Sequence, residues 1–167
     1  MSLYGGTKLV FVISPPADGD DRKQYDKWLD VHDQKSGEEL QYPFLLSSEQ
    51  FSGSHDTWVD ELTAMNVELY TDSIPLTDDP EEVVYILGRP ELVQNDHRML
   101  VRYVKWLKDR KHIGLFEAKQ MASGREPICL GTITVRNTRD RLPLIQEIEQ
   151  FGQVRLAFID IRNPWVD

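Results

Sequence analysis

The chain has one cysteine, Cys129, in 167 residues. No internal disulfide can form, and no zinc site built from several thiolates can exist. Long apolar runs are absent as well. No stretch approaches the roughly 18 consecutive apolar residues of a membrane-spanning helix, so no membrane association is expected. The opening Met1-Ser2-Leu3-Tyr4-Gly5-Gly6 has neither a basic region nor an apolar run ahead of a cleavage site, so a secretory leader is not expected. With a single cysteine, this points to a cytoplasmic, intracellular setting. Phosphate-loop, GxGxxG, GxSxG, HxxxH and HExxH patterns are all missing. His32, His55, His97 and His112 are scattered without ligand spacing. No linker, repeat or low-complexity segment is visible.

What is present is charge, unevenly spread. The net charge is −9. Residues 1–97 hold 20 Asp and Glu against 6 Lys and Arg, whereas residues 98–167 hold 8 against 13. An acidic half of net −14 therefore precedes a basic half of net +5. Two opposite halves can face each other and cancel, or they can form a bipolar surface that meets a partner. The acidic half would repel phosphate, which argues against the whole chain coating a nucleic acid.

Apolar patterning alternates strand with helix. Leu9–Ile13 is a continuous β-branched and aromatic run, the pattern of a strand buried on both faces, and Pro15-Pro16 stops it. Asp18-Gly19-Asp20-Asp21 supplies a turn and a helix cap. Tyr25, Trp28, Leu29 and His32 then fall on one face of a helix that reaches about Gln34 and ends at Ser36-Gly37. Leu40–Leu46 reads as a strand. Ser54 or Asp56 caps a helix carrying Trp58, Val59, Leu62 and Met65, and Val67–Ile74 reads as an edge strand. Val83–Leu87 is a second fully apolar run. Pro90 opens a long helix to about Lys111. Leu115–Met121 and Pro127–Val135 read as strands around the turn Ser123-Gly124-Arg125-Glu126. A last helix presents Leu144, Ile145, Ile148 and Phe151, and Val154–Ile161 is the final strand.

The expected fold class is α/β, with α+β the alternative. It is a single globular domain spanning 1–167, a mixed sheet of about 5–7 strands with helices on its faces. Leu9–Ile13, Val83–Leu87 and Leu156–Ile161 are expected as its interior strands, with Trp28, Trp58 and Trp106 buried against it.

Four groups could carry chemistry. On the long helix, Met99, Leu100, Tyr103, Val104, Trp106 and Leu107 share one face, and Arg98, Arg102, Lys105 and His112 share the other, with Asp109 among them and Lys108 at the flank. That outward stripe suits phosphate or carboxylate groups of a partner. Second, the apolar stretch leading into Glu117-Ala118-Lys119 resembles the second half of the PD-(D/E)xK nuclease signature. The resemblance implies Mg²⁺ held at Glu117 and an attacking water oriented by Lys119. The seven residues lack the preceding aspartate strand, and Asp96 or Asp109 would have to serve. Third, Asp18, Asp20 and Asp21 stand beyond the first strand, where open α/β sheets collect ligands, and three carboxylates there could hold a metal. Fourth, Ile133–Asn137, the following helix and Phe151-Gly152-Gln153-Val154 resemble the first βαβ of an RNA-recognition motif. Thr134 stands where that family places a stacking aromatic.

The leading expectation is a non-catalytic interaction or regulatory module that docks a protein partner through Arg98, Arg102, Lys105 and Lys108 and needs no cofactor. The alternative is a nucleic-acid-directed protein working through residues 98–141, a nuclease using Glu117, Lys119 and Mg²⁺. A third reading is a small-molecule α/β enzyme at the end of the first strand.

Overall fold

The computed structural model describes residues 6–32, 40–49 and 54–163. They separate into two compact units, one within residues 1–75 and one within 76–167. Each is built on its own three-stranded antiparallel sheet. Helices interleave with strands, as the patterning predicts, but the expected sheet of about 5–7 strands resolves into two sheets of three. A strand has two hydrogen-bonding edges. Each fully apolar strand fills both of its edges with strands from its own unit.

In the N-terminal unit the elements are β1 (Thr7–Ser14), α1 (Asp20–Val31), β2 (Phe44–Glu49), α2 (Ser54–Ala64) and β3 (Glu68–Ile74). β1 is central and antiparallel to both β2 and β3. The two outer strands are thus parallel to each other, joined by α2 across the middle strand. Val10 and Val12 pack on Tyr25, Trp28 and Leu29 of α1 and on Leu62 of α2. Leu9, Phe11 and Ile13, on the opposite face of β1, are buried too. Burial on both faces is why the run shows no alternation. The helix end expected at Ser36-Gly37 lies outside the described residues.

The C-terminal unit begins with β4 (Glu81–Ile86) and a 3-10 turn (Glu91–Val93). It continues through α3 (His97–Lys111), α4 (Leu115–Ser123), β5 (Ile128–Thr134), α5 (Leu142–Ile148) and β6 (Leu156–Asp160). β4 is central, between β5 and β6 and antiparallel to both. Val84 and Ile86 pack on Tyr103, Val104, Leu107, Ile148 and Phe151. β6 is therefore an outer strand of its sheet and not the interior strand that its apolar residues suggest.

Two further expectations are corrected. The helix expected from Pro90 is interrupted: residues 91–93 form a 3-10 turn, and α3 starts afresh after Asp96. The Asp96 carboxylate accepts from the backbone N–H of Arg98 (2.9 Å) and Met99 (3.4 Å), an N-cap that restarts the helix. Leu115–Met121 is helical, not a strand. No β-branched residue occurs between 115 and 123. Ala118 and Ala122, one turn apart, are both buried, and these small side chains let α4 pack close to α3. Trp28 is buried, and Trp58 and Trp106 are half-buried.

Two substitutions test this architecture by chemical denaturation. Ile86→Ala removes a fully buried side chain from the central strand and should cost about 2–5 kcal/mol. Gly152 sits at φ 85°, and an added Cβ would lie 2.8 Å from Leu92 Cγ. Gly152→Ala should therefore destabilise by about 1–3 kcal/mol. Losses below about 0.5 kcal/mol at both sites would mean that neither position is constrained as described.

Candidate functional site

α3 is positioned by its inner face. Tyr103, Val104 and Leu107 are buried, and Trp106 is half-buried beside Phe151 and Tyr103, with ring centroids 5.6 and 6.2 Å away. The Trp106 indole N–H donates to Glu147 at 2.6 Å, tying α3 to α5. Arg110 reaches the same carboxylate at 3.3 Å, and its guanidinium lies 5.8 Å from the Trp106 ring centre. Lys111 donates to the Cys129 carbonyl of β5. His112 closes the helix in the left-handed conformation, φ 54°. Arg110 and Lys111 are thus used inside the unit.

The outer face is different. Arg98, Arg102, Lys105 and Lys108 are all exposed, and none forms an ion pair among the described residues. Arg98, Arg102 and Lys105 follow one another at i, i+4 and i+7, within about 10–11 Å of axial rise, with Asp109 continuing the row. One pairing that joins the acidic and basic halves lies elsewhere. Arg141 forks onto Glu82 with bonds of 2.8 and 2.6 Å, its guanidinium 4.7 Å from the Phe158 ring centre. That fork raises the Arg141 pKa and links the segment ahead of α5 to β4. Charge cancellation therefore involves Arg141, and the α3 cations Arg98, Arg102, Lys105 and Lys108 take part in no ion pair among the described residues.

Sequence patterning missed the exposed apolar pair that follows α3. Leu115 and Phe116 open α4, only a few residues after Lys111, and are 49% and 73% exposed. The strand reading hid them, because alternation would have turned one of the two inward. A helical period with Ala118 and Ala122 as the buried stripe puts both outside. Beside α3, a cleft of about 370 Å³ is lined by Trp106, Asp109, Arg110, His112, Leu130 and Glu147.

The remaining candidates are dispersed. Glu117 and Lys119 are exposed on α4, two residues apart on a helix, so their side chains diverge by about 200°. The strand that the nuclease resemblance implies is not there. Asp18 lies in a turn, Asp20 and Asp21 lie in the first turn of α1, and Asp21 accepts from the Asn66 side-chain amide at 2.7 Å. No group of three or more metal-ligating side chains occurs among the described residues. Thr134, in the stretch that resembles an RNA-recognition motif, is exposed at the end of β5. His32 is stacked on Trp28 at 3.9 Å, with Nδ1 2.8 Å from the Trp28 carbonyl oxygen. A scan of protein-family models finds none that matches this chain, and comparison with curated proteins finds no match either.

Two buried tyrosines under the helices give a pH signature. Burial raises the pKa of Tyr103, and burial with a hydrogen bond to Tyr42 raises that of Tyr25. The folded chain holds both protons past pH 10, where the unfolded chain releases them. Their contribution is complete below about pH 10 and lost as pH rises above it. The Tyr103 hydroxyl has no partner among the described residues, whereas that of Tyr25 meets Tyr42 at 2.9 Å. Tyr103→Phe should therefore leave stability at pH 7 unchanged or raised and flatten its decline above about pH 10. Tyr25→Phe should cost about 0.5–1.5 kcal/mol at pH 7. Denaturation at neutral and alkaline pH measures both; a costly Tyr103→Phe would contradict this assignment.

Proposed function

We propose that this protein is a non-catalytic binding module that docks an acidic segment of a protein partner on the outer faces of α3 and α4. The observation that carries the reading is the row Arg98, Arg102, Lys105 and Lys108, which is exposed and forms no ion pair among the described residues, on the helix that α4 with its exposed Phe116 follows. Arginine and aromatic side chains dominate binding energy at protein interfaces, whereas solvated cations mainly steer encounter. The two features divide the work, with the row attracting and orienting a carboxylate-rich partner and Leu115-Phe116 supplying an apolar anchor.

The charge distribution supports a protein partner over nucleic acid. The unit within residues 1–75 holds 14 Asp and Glu against 5 Lys and Arg, and the unit within 76–167 holds 14 of each. The basic row is therefore a local patch on a chain of net −9. Screening confines its attraction to about 8 Å at physiological ionic strength, and the acidic remainder of the chain would repel an extended phosphate backbone.

Fluorescence anisotropy with a labelled Asp/Glu-rich peptide carrying one leucine tests the reading. Arg98→Glu with Arg102→Glu should leave the fold intact, because exposed charges contribute only about 0–1 kcal/mol. It should weaken binding about tenfold or more and flatten the salt dependence. Phe116→Ala should weaken binding similarly at low and high salt, by about 1–3 kcal/mol. A DNA duplex bound more tightly than the peptide, or a charge reversal without effect, would overturn the proposal.

A further inference from the structure

We infer that the chain is a tandem duplication: its two units are copies of one β-α-β-α-β element, and only the second copy carries the docking row proposed above. Three independent kinds of observation align them.

The first is connectivity with register. Each unit has its first strand in the centre, its second and third strands antiparallel on either side, and a helix in each crossing. Val12 pairs with Phe44 and Leu69, and Ile86 pairs with Ile128 and Leu156. Both central strands break register against the second strand at the same place, between Val10 and Phe11 and between Val84 and Tyr85. A bulge is a specific local feature, and its recurrence at the matching step is not required by the topology.

The second is side-chain chemistry. With the strands aligned, α1 reads Tyr25-Asp26-Lys27-Trp28-Leu29 and α3 reads Tyr103-Val104-Lys105-Trp106-Leu107. Each tryptophan donates its indole N–H to a glutamate on the second crossing helix, Trp28 to Glu61 and Trp106 to Glu147, both at 2.6 Å. One turn after each tryptophan a cationic or imidazole group covers the indole, His32 at 3.9 Å and Arg110 at 5.8 Å. A buried proline leads each second strand, Pro43 before β2 and Pro127 before β5.

The third is backbone conformation. The residue that leaves the second crossing has positive φ in both copies, Asn66 at 60° and Gly152 at 85°. In each case it follows a buried apolar residue, Met65 or Phe151.

Against this shared frame the differences are informative. The exposed positions of α1 that match Arg98, Arg102, Lys105 and Lys108 are Asp20, Gln24, Lys27 and Asp30. The row is thus a property of one copy, as is α4, which is inserted between α3 and β5. This part of the inference rests on the proposed docking function. It names the engaged copy and sets the stoichiometry at one acidic segment per chain.

Two experiments on the full chain test the inference separately. Hydrogen exchange reads the shared strut. Trp28→Phe should lower amide protection by about 5–30-fold in α1 and α2, and Trp106→Phe should do the same in α3 and α5. A change in one copy alone would overturn the duplication whether or not any peptide binds. Asp20→Arg and Gln24→Arg with Asp30→Lys then rebuild the α3 row on α1 around Lys27. Titration with the same labelled acidic peptide should rise from one to two per chain, and the added site should vanish at high salt because it lacks the Leu115-Phe116 anchor. Stoichiometry that stays at one would show that the helix faces are not equivalent. Absence of peptide binding to the unmodified chain would refute the docking function and leave the strut measurement to decide the duplication.

Discussion

The central strand of each sheet is the constraint from which the rest follows. β1 and β4 are apolar on both faces and hydrogen-bonded along both edges, so each unit must supply two antiparallel neighbours and helical cover from its own sequence. Strands two and three are then parallel to each other across the middle strand and need a crossing helix between them. The first crossing brings α1 or α3 onto the sheet, and the second brings α2 or α5 beside it. The outer surface of α3 is available for binding because its inner surface is fully committed to β4, α4 and α5.

That commitment fixes the electrostatics of the patch. Arg110 and Lys111 reach inward to Glu147 and to the Cys129 carbonyl, whereas Arg98, Arg102, Lys105 and Lys108 form no ion pair among the described residues. The three cations of the row repel one another slightly, and Asp109, one turn beyond Lys105, relieves a share of that repulsion. Helix-end placement offsets part of that cost, because Lys108 lies in the last turn at the negative end of the dipole. A row that does not serve the unit's own stability fits a surface shaped for something outside the unit.

Much of the fold was legible in the sequence because the strongest signals were local. Leu9–Ile13 and Val83–Leu87 are unbroken apolar runs between turn residues, and both are central strands. The periodic face of Tyr25, Trp28 and Leu29, like that of Tyr103, Val104 and Leu107, is buried as expected. What failed depended on partners far away in sequence. The apolar β6 read as interior because composition reports burial and not position in a sheet. α4 read as a strand because five of its nine residues are apolar, while its true period is set by Ala118 and Ala122 against α3. The site was half legible. A cation row on a helix is a sequence pattern, but Phe116 becomes visible only once its segment is known to be helical.

The duplication was hidden for a related reason. Insertions between elements, α4 above all, shift the spacing of equivalent residues along the chain, so no fixed period survives. The aligned segments share side-chain size and polarity more than identity: Phe11 matches Tyr85, and Leu62 matches Ile148. What has persisted are the positions where the backbone or a buried polar group leaves little choice. The indole N–H of a packed tryptophan needs an acceptor, and positive φ at a helix exit favours glycine or asparagine. Exposed positions carry no such requirement, and there the copies differ in sign, Asp20 against Arg98 and Asp30 against Lys108. At these positions the outer faces of α1 and α3 have diverged in charge, while the interior has kept its side-chain size and polarity.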